Sequence, residues 1–172
     1  AALLSPMLKR LDAGELMALP PADTSYSVAY VYSQPKYLHH ASWHHAGGPN
    51  AFPRLLSNGT AVYGGVPQAA DIPKLMALLK AEIAAWIPDR DWAGNAVFDF
   101  KAYVPSWDLL EPNYRTHSCA LVKHAHPGWN ATQVDAEAKA SFESAATELF
   151  VQALETAKAV RPNAYWGFYD IP

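Results

Sequence analysis

Apolar residues recur at steps of three and four between positions 71 and 86, which is the pattern of an amphipathic helix. They are Leu75, Leu78, Leu79, Ile83 and Trp86. Asp71 is a favourable N-cap and Pro73 suits the first helical turn, so we predict that the helix begins there. Similar spacing predicts two further helices, over 112–124 and 132–161.

The helix predicted over 132–161 is long, and Pro162 directly after it favours an end at Arg161. We expect one apolar side on this helix, made of Val134, Phe142, Ala145, Leu149, Phe150, Ala153 and Leu154. Such a side requires a core to pack against, so the helix is predicted to cover a sheet rather than to stand alone.

Three short apolar runs predict strands, namely SYSVAYVYS at 25–33, NAVFDF at 95–100 and AYWGFY at 164–169. The stretch 57–67 has an Asn-Gly and a Gly-Gly pair around one short apolar run, which is typical of turns beside an extended segment. Strands that alternate with helices predict an α/β fold with a parallel sheet, whose ligands bind at the carboxyl ends of the strands. The residues at those ends are Asp99 to Lys101 and Tyr169 to Asp170.

A chain of 172 residues with a formal net charge of -3 fits one globular domain over 1–172. The charge leaves no basic surface for phosphates, so a nucleic-acid partner is not expected. No apolar run is long enough for a membrane span, and residues 1–10 lack the pattern of a signal peptide. The single cysteine, Cys119, excludes an intrachain disulfide and is predicted to be a small buried residue.

Four motifs occur in order along the chain, which are GGVPQ at 64–68, VFDFKAYVP at 97–105, HPGW at 126–129 and RPNAYWGFYDIP at 161–172. Together they resemble the hyaluronidase family, glycoside hydrolase family 56. The resemblance covers roughly 47–172, and residues 1–46 are divergent. It implies part of a distorted (β/α) TIM-like barrel that cleaves β-linked N-acetylhexosaminides without a cofactor or a metal, and a secreted or lysosomal location.

In this family the acetamido oxygen of the sugar attacks the anomeric carbon, so the protein supplies one proton donor and one carboxylate that orients the acetamide. The resemblance implies the orienting carboxylate at Asp99 and an acetamide contact at Tyr169. The family has a glutamic acid where this chain has Lys101. A lysine has an ordinary pKa of about 10.4, and a carboxylate two residues away favours its charged form, so we expect a poor proton donor.

Three further residues are candidates for substrate binding, namely Tyr103, Trp166 and Asp170. Trp166 also fits a core position, and Asp170 also fits a turn. The family's arginine is replaced by Val104, and Gly47 and Gly48 fall where an aromatic residue and a carboxylate contact the sugar. The sequence therefore predicts a site that lacks the family's proton donor and several of its substrate-binding residues.

A complete (β/α)₈ barrel takes about 250 residues, so this chain is expected to be a fragment or a subunit covered by a partner protein. The histidines of HHASWHH, at 39–45, allow a zinc interpretation, but no HExxH glutamate accompanies them and the sequence favours solvated loop histidines. His124 and His126 fit a helix end. Asn58 and Asn130 each begin an N-glycosylation sequon.

Two functions remain open. The first is an impaired, pseudoenzyme-like hyaluronidase domain that has a structural or glycosaminoglycan-binding role. The second is an active retaining hydrolase in which Asp170, Glu111 or a missing part of the chain supplies the proton.

Overall fold

The computed structural model describes residues 28–32, 51–100 and 102–168. Its strands and helices, in chain order, are β1 (Val28–Tyr32), β2 (Arg54–Leu55), β3 (Ala61–Val62), α1 (Ile72–Trp86), β4 (Asn95–Asp99), α2 (Pro112–Ala125), α3 (Ala131–Val160) and β5 (Tyr165–Phe168). Short 3₁₀ turns cover Pro67–Ala69 and Trp107–Leu109. The predicted helices and strands of this region are all present, with bounds that differ by a few residues.

Three strands form a parallel sheet in the order β1-β4-β5. Val28 pairs with Asn95 at one end of the β1–β4 ladder, and Tyr32 pairs with Asp99 at the other. The parallel sheet and the helices between β4 and β5 confirm the α/β prediction. Within the described residues the three strands do not close into a barrel.

The two faces of this sheet differ in how well they are covered. Ala96 and Phe98 are completely buried, whereas Val97 and Gly167 are half-buried and Tyr165 is 37% exposed. Successive residues of a strand point to opposite faces, so one face lies against a core and the other is only partly covered.

The chain divides into two compact units. The described residues of the first unit are 28–32, 51, 76–100 and 151–168, and those of the second are 52–75 and 102–150. The first unit contains the parallel sheet. The second contains α2 and the antiparallel pair β2–β3, in which Arg54 is opposite Val62.

Helix α1 begins as the sequence predicted, since the backbone N–H of Lys74 donates to the Asp71 carboxylate at 3.2 Å. The buried positions of this helix are Ile72, Leu75, Met76, Leu79 and Ile83. The prediction for Leu78 was wrong, because the residue is 38% exposed. It lies beside the buried stripe rather than in it, since the stripe follows the steps from 72 to 75, 79 and 83.

Helix α3 buries nearly all of its predicted apolar residues, but Ala145 is only half-buried while the neighbouring Ala146 is fully buried. The prediction was therefore one residue off at this point, because alanine is too small to mark a helix face in a sequence. The helix begins with a reciprocal cap: Gln133 N–H donates to Asn130 Oδ1 at 3.0 Å, and Asn130 N–H donates to Gln133 Oε1 at 3.1 Å.

Within the described ranges, no helix combines the length and the hydropathy that a membrane span requires.

Candidate functional site

The carboxyl ends of the parallel strands lie level with one another. Asp99, the last residue of β4, pairs with Tyr32, the last residue of β1. Phe98 pairs with Phe168, which ends β5. Asp99 is therefore at the edge where parallel sheets bind their ligands. Lys101, Tyr169 and Asp170 lie outside the described residues, and their roles stay predictions.

Trp166 packs on the covered face of the sheet. Its ring stacks on Phe98, with centroids 5.0 Å apart and an angle of 26° between the planes. It also packs against the core residues Ile87 and Ala96. Its indole N–H donates to the Arg161 carbonyl oxygen at 3.3 Å. These contacts match the core alternative for Trp166, and its substrate-binding role stays a prediction.

Arg161 is an almost fully buried charge, with 3% of the residue exposed. Its Nε donates to the Ile87 carbonyl oxygen at 2.6 Å, and its Nη1 donates to the Val160 carbonyl oxygen at 2.7 Å. Its Nη2 donates to Ile87 as well, and to the Ala84 carbonyl oxygen at 3.4 Å. The guanidinium thus satisfies carbonyl groups at the end of α1, where the helix dipole also favours a cation.

Tyr103 follows the candidate site in the sequence and lies in an aromatic cluster of the second unit. Its ring meets Tyr114 and Phe142 edge-on, with centroids 5.2 and 5.6 Å apart, and only 6% of the residue is exposed. Burial raises the pKa of Tyr103 well above its ordinary value, and the neighbouring Tyr114 raises it further. Little of the Tyr103 residue is accessible to a sugar, which disfavours direct contact with a substrate. The substrate-binding role of Tyr103 stays a prediction.

The segment after Tyr103 is held on α2 and α3. The Trp107 backbone N–H donates to the Glu143 carboxylate at 3.0 Å. The Arg115 guanidinium lies 5.8 Å from the Trp107 ring centre and donates to the carbonyl oxygens of Leu110 at 3.0 Å and Asp108 at 2.9 Å. These bonds give the loop between β4 and α2 a defined path.

Tyr63 and the GGVPQ motif form a tight turn after β3. Tyr63, Gly64 and Gly65 all have positive φ, at 51°, 85° and 78°. A Cβ on Gly64 would lie 2.4 Å from the Ala69 carbonyl oxygen, so only glycine fits there. His117 Nε2 lies 3.0 Å from the Gly64 carbonyl oxygen, which ties the turn to α2.

The histidines noted in the sequence fall in two places, at 39–45 and at the end of α2. The HHASWHH histidines lie outside the described residues, and within the described part no three His, Cys, Asp or Glu residues are grouped for a metal. His126 stacks on Trp129 at 3.9 Å, and Lys123 Nζ donates to the Pro127 and Trp129 carbonyl oxygens. A lysine, rather than a histidine side chain, therefore satisfies the carbonyl groups after α2.

Cys119 is half-buried, and burial raises the pKa of its thiol, with a further contribution from the Asp135 carboxylate. A raised pKa lowers the thiolate fraction, which disfavours a nucleophilic role. Glu111, the carboxylate considered as a second proton donor, is exposed directly before α2.

Two structural residues were missed from the sequence, Arg161 and His117. Arg161 was treated only as the end of α3, and its partner Ile87 on the other helix is 74 residues away, beyond the reach of local sequence patterns. His117 carried no signal in the sequence, because its partner Gly64 is 53 residues away.

Comparisons with known proteins show the family to which this chain belongs. The hyaluronidase family model, glycoside hydrolase family 56, matches residues 48–172. Hyaluronidase-1 of Bos taurus is 38% identical over 124 residues, which cover 70% of this chain and 28% of that protein. Hyaluronidase of Apis mellifera is 36% identical over 132 residues, which cover 72% of this chain and 34% of that protein.

Two crystal structures of bee venom hyaluronidase are also similar to this chain. One, in complex with a hyaluronic acid tetramer, has a TM-score of 0.70 and 32% identity, and the match covers 85% of this chain and 43% of that chain. The other, a monoclinic crystal form, has a TM-score of 0.71 and 29% identity, over 87% of this chain and 43% of that chain.

The chain belongs to the hyaluronidase family, as its four motifs predicted. It spans about a quarter to a third of the length of the curated relatives that it matches.

Proposed function

We propose that this chain is a catalytically impaired hyaluronidase-family domain with a glycosaminoglycan-binding or structural role. The observation that carries the proposal is Lys101, which stands two residues after Asp99 where the family has its proton-donating glutamic acid. β4 ends at Asp99, and a proton donor just beyond a strand end is well placed for a ligand at that edge of the sheet.

Hydrolysis requires that the leaving oxygen of the glycosidic bond be protonated. In substrate-assisted hydrolysis the sugar supplies its own nucleophile, so proton donation to the glycosidic oxygen is the main chemical step left to the protein. An ammonium group at Lys101 would donate reluctantly, and its charge would oppose the positive charge that develops on the sugar ring. Loss of a general acid typically costs about 10² to 10⁴ in rate.

We further propose that the ligand is a hyaluronan-like β-linked glycosaminoglycan. One similar structure holds a hyaluronic acid tetramer, and a Caenorhabditis elegans relative that is 34% identical over 112 residues is named chondroitin hydrolase. In this proposal Asp99 and Tyr169 keep their acetamide roles and Asp170 contributes to substrate binding, whereas Trp166 and Tyr103 act through packing in their own cores rather than through contact with the sugar. The proposed location is extracellular or lysosomal.

The sheet is proposed to be one part of a larger distorted barrel. The half-covered face that includes Val97 and Tyr165 supports this, because a closed barrel packs side chains against its inner face. Further chain or a partner subunit would supply that covering.

The deciding experiment measures reducing ends released from hyaluronan and from chondroitin between about pH 3.5 and 7. It compares the parent with Lys101→Glu, which restores an acid, and with Lys101→Gln, which removes the charge without adding an acid. Binding of hyaluronan is measured on the same samples by calorimetry.

The proposal expects binding without turnover in the parent, and turnover in Lys101→Glu but not in Lys101→Gln. Turnover by the parent would overturn it in favour of an active retaining hydrolase with another proton donor. A folded parent that neither binds nor hydrolyses would exclude the glycosaminoglycan-binding role and leave the structural one.

A further inference from the structure

The loop between β2 and β3 carries the first of the two N-glycosylation sequons, Asn58-Gly59-Thr60. All five residues between the strands, 56–60, are exposed. A Cβ built on Gly59 would meet no heavy atom within 4 Å, so the tip of this hairpin is surrounded by open space. A bulky sugar chain needs such a position.

The backbone of this loop forms an Asx turn. Thr60 N–H donates to Asn58 Oδ1 at 3.0 Å, so the Asn58 side chain folds toward the residue whose hydroxyl completes the sequon. The turn is closed by Gly59 N–H, which donates to the Leu56 carbonyl oxygen at 2.8 Å. Since only the amide oxygen of Asn58 is used, its amide nitrogen has no hydrogen-bond partner among the described residues.

The second sequon, Asn130-Ala131-Thr132, has a different local structure. The Asn130 side chain caps α3 through Gln133, and the Gln133 side chain bonds back to Asn130 N–H. Thr132 already belongs to the first turn of the helix. To adopt a turn like that of Asn58, this sequon would have to lose the Asn130 cap of α3, which contributes about 1 kcal/mol.

We infer that Asn58 is an N-glycan acceptor and that Asn130 keeps its capping role instead. In the transfer, the Asn58 amide nitrogen attacks C1 of the first sugar of a dolichyl diphosphate-linked oligosaccharide. The C–O bond to the diphosphate breaks, the amide nitrogen loses one proton, and dolichyl diphosphate leaves. The inference rests on passage through the secretory pathway, which the proposed function includes.

A glycan at Asn58 has a consequence for the rest of the protein. It keeps the tip of the β2–β3 hairpin in solvent, so any further chain or partner subunit that completes the barrel must cover other surfaces.

The test is expression of the full chain behind a cleavable secretion signal in mammalian cells. Glycans are detected by the mobility shift on treatment with peptide-N-glycosidase F, and the modified peptide is identified by mass spectrometry. The variants are Asn58→Gln, Thr60→Ala, Thr60→Ser and Asn130→Gln. Thr60→Ser is the matched control, since it keeps the hydroxyl that the sequon requires.

We expect one glycan on most secreted chains, lost in Asn58→Gln and Thr60→Ala and kept in Thr60→Ser and Asn130→Gln. A secreted, folded parent without a glycan on Asn58 would overturn the inference. A glycan found on Asn130 as often as on Asn58 would overturn the inferred preference for Asn58. Because the signal is supplied and the readout is the glycan, this result is independent of whether the protein binds or cleaves hyaluronan.

Discussion

The turn at 63–68 and the end of β4 both lie in the part of the chain that the family model matches, but the backbone restricts the residue type far more at the turn. At the turn, Gly64 and Gly65 have positive φ and lie against neighbouring atoms. At the end of β4 the chain has Asp99 and, two residues later, Lys101, which the proposed function assigns to the position of the family's glutamic acid.

The difference follows from what each region is required to do. Replacement of Gly64 by any larger residue would meet the backbone of Ala69, so the fold itself restricts this position. A residue just after a strand end is restricted mainly by chemistry, because loops tolerate most side chains. Under the proposed function, the chain keeps its fold while it loses proton donation.

The largest expected effect is that of Gly64→Ala. The positive φ costs about 1–2 kcal/mol and the clash with Ala69 about 1–3 kcal/mol more. We expect the free energy of unfolding to fall by the sum of the two, as measured by urea denaturation. Gly59→Ala is the control, since Gly59 also has positive φ, at 81°, but has open space around it. Equal losses in the two variants would show that the packing of the turn is unimportant.

Next in size is the replacement of Arg161. Arg161→Gln removes the charged hydrogen bonds to Ile87 and leaves buried carbonyl groups without donors, which we expect to cost about 1.5–3 kcal/mol. Arg161→Lys keeps a charge but lacks the planar group that reaches several carbonyl oxygens, so its loss should be intermediate. Denaturation of both variants provides the measurement. An unchanged midpoint in Arg161→Gln would contradict the capping role.

A smaller effect is expected for His117→Ala, which removes the hydrogen bond to the Gly64 carbonyl oxygen. The loss should be about 0.5–1.5 kcal/mol. His124→Ala, an exposed change on the same helix, should have little effect and serves as the control. If the two variants lose the same stability, the contact between His117 and the turn contributes nothing.

The smallest effect at neutral pH is expected for Tyr103→Phe, which keeps the ring in the aromatic cluster. Because the pKa of Tyr103 is raised in the folded state, the unfolded chain loses its phenolic proton first as the pH rises. Stability of the parent should therefore be unaffected by this group below about pH 10 and fall above it. The variant should show a shallower alkaline decrease when thermal unfolding is followed from pH 8 to 11.

Phe142→Leu is the control for this measurement, because it alters the same cluster without removing an ionisable group. Its stability should be lower by a similar amount at every pH. An alkaline decrease in Tyr103→Phe as steep as that of the parent would argue against burial as the cause of the shifted pKa.

Much of the fold followed from local patterns. Periodicity and the Asp71 cap located α1, Arg161-Pro162 marked the end of α3, and the Asn-Gly and Gly-Gly pairs marked the turns around β2 and β3. Less of the candidate site followed, because a pattern places Asp99 at a strand end without saying which other side chains surround it.

The sequence by itself determined the order of helices and strands and the family. Tertiary structure decided that Arg161 caps α1, that His117 holds the Gly64 turn, and that Tyr103 is buried in an aromatic cluster. The physical reason is separation along the chain. The partners of Arg161 and His117 are 74 and 53 residues away, and periodicity reports only on neighbours within a few residues.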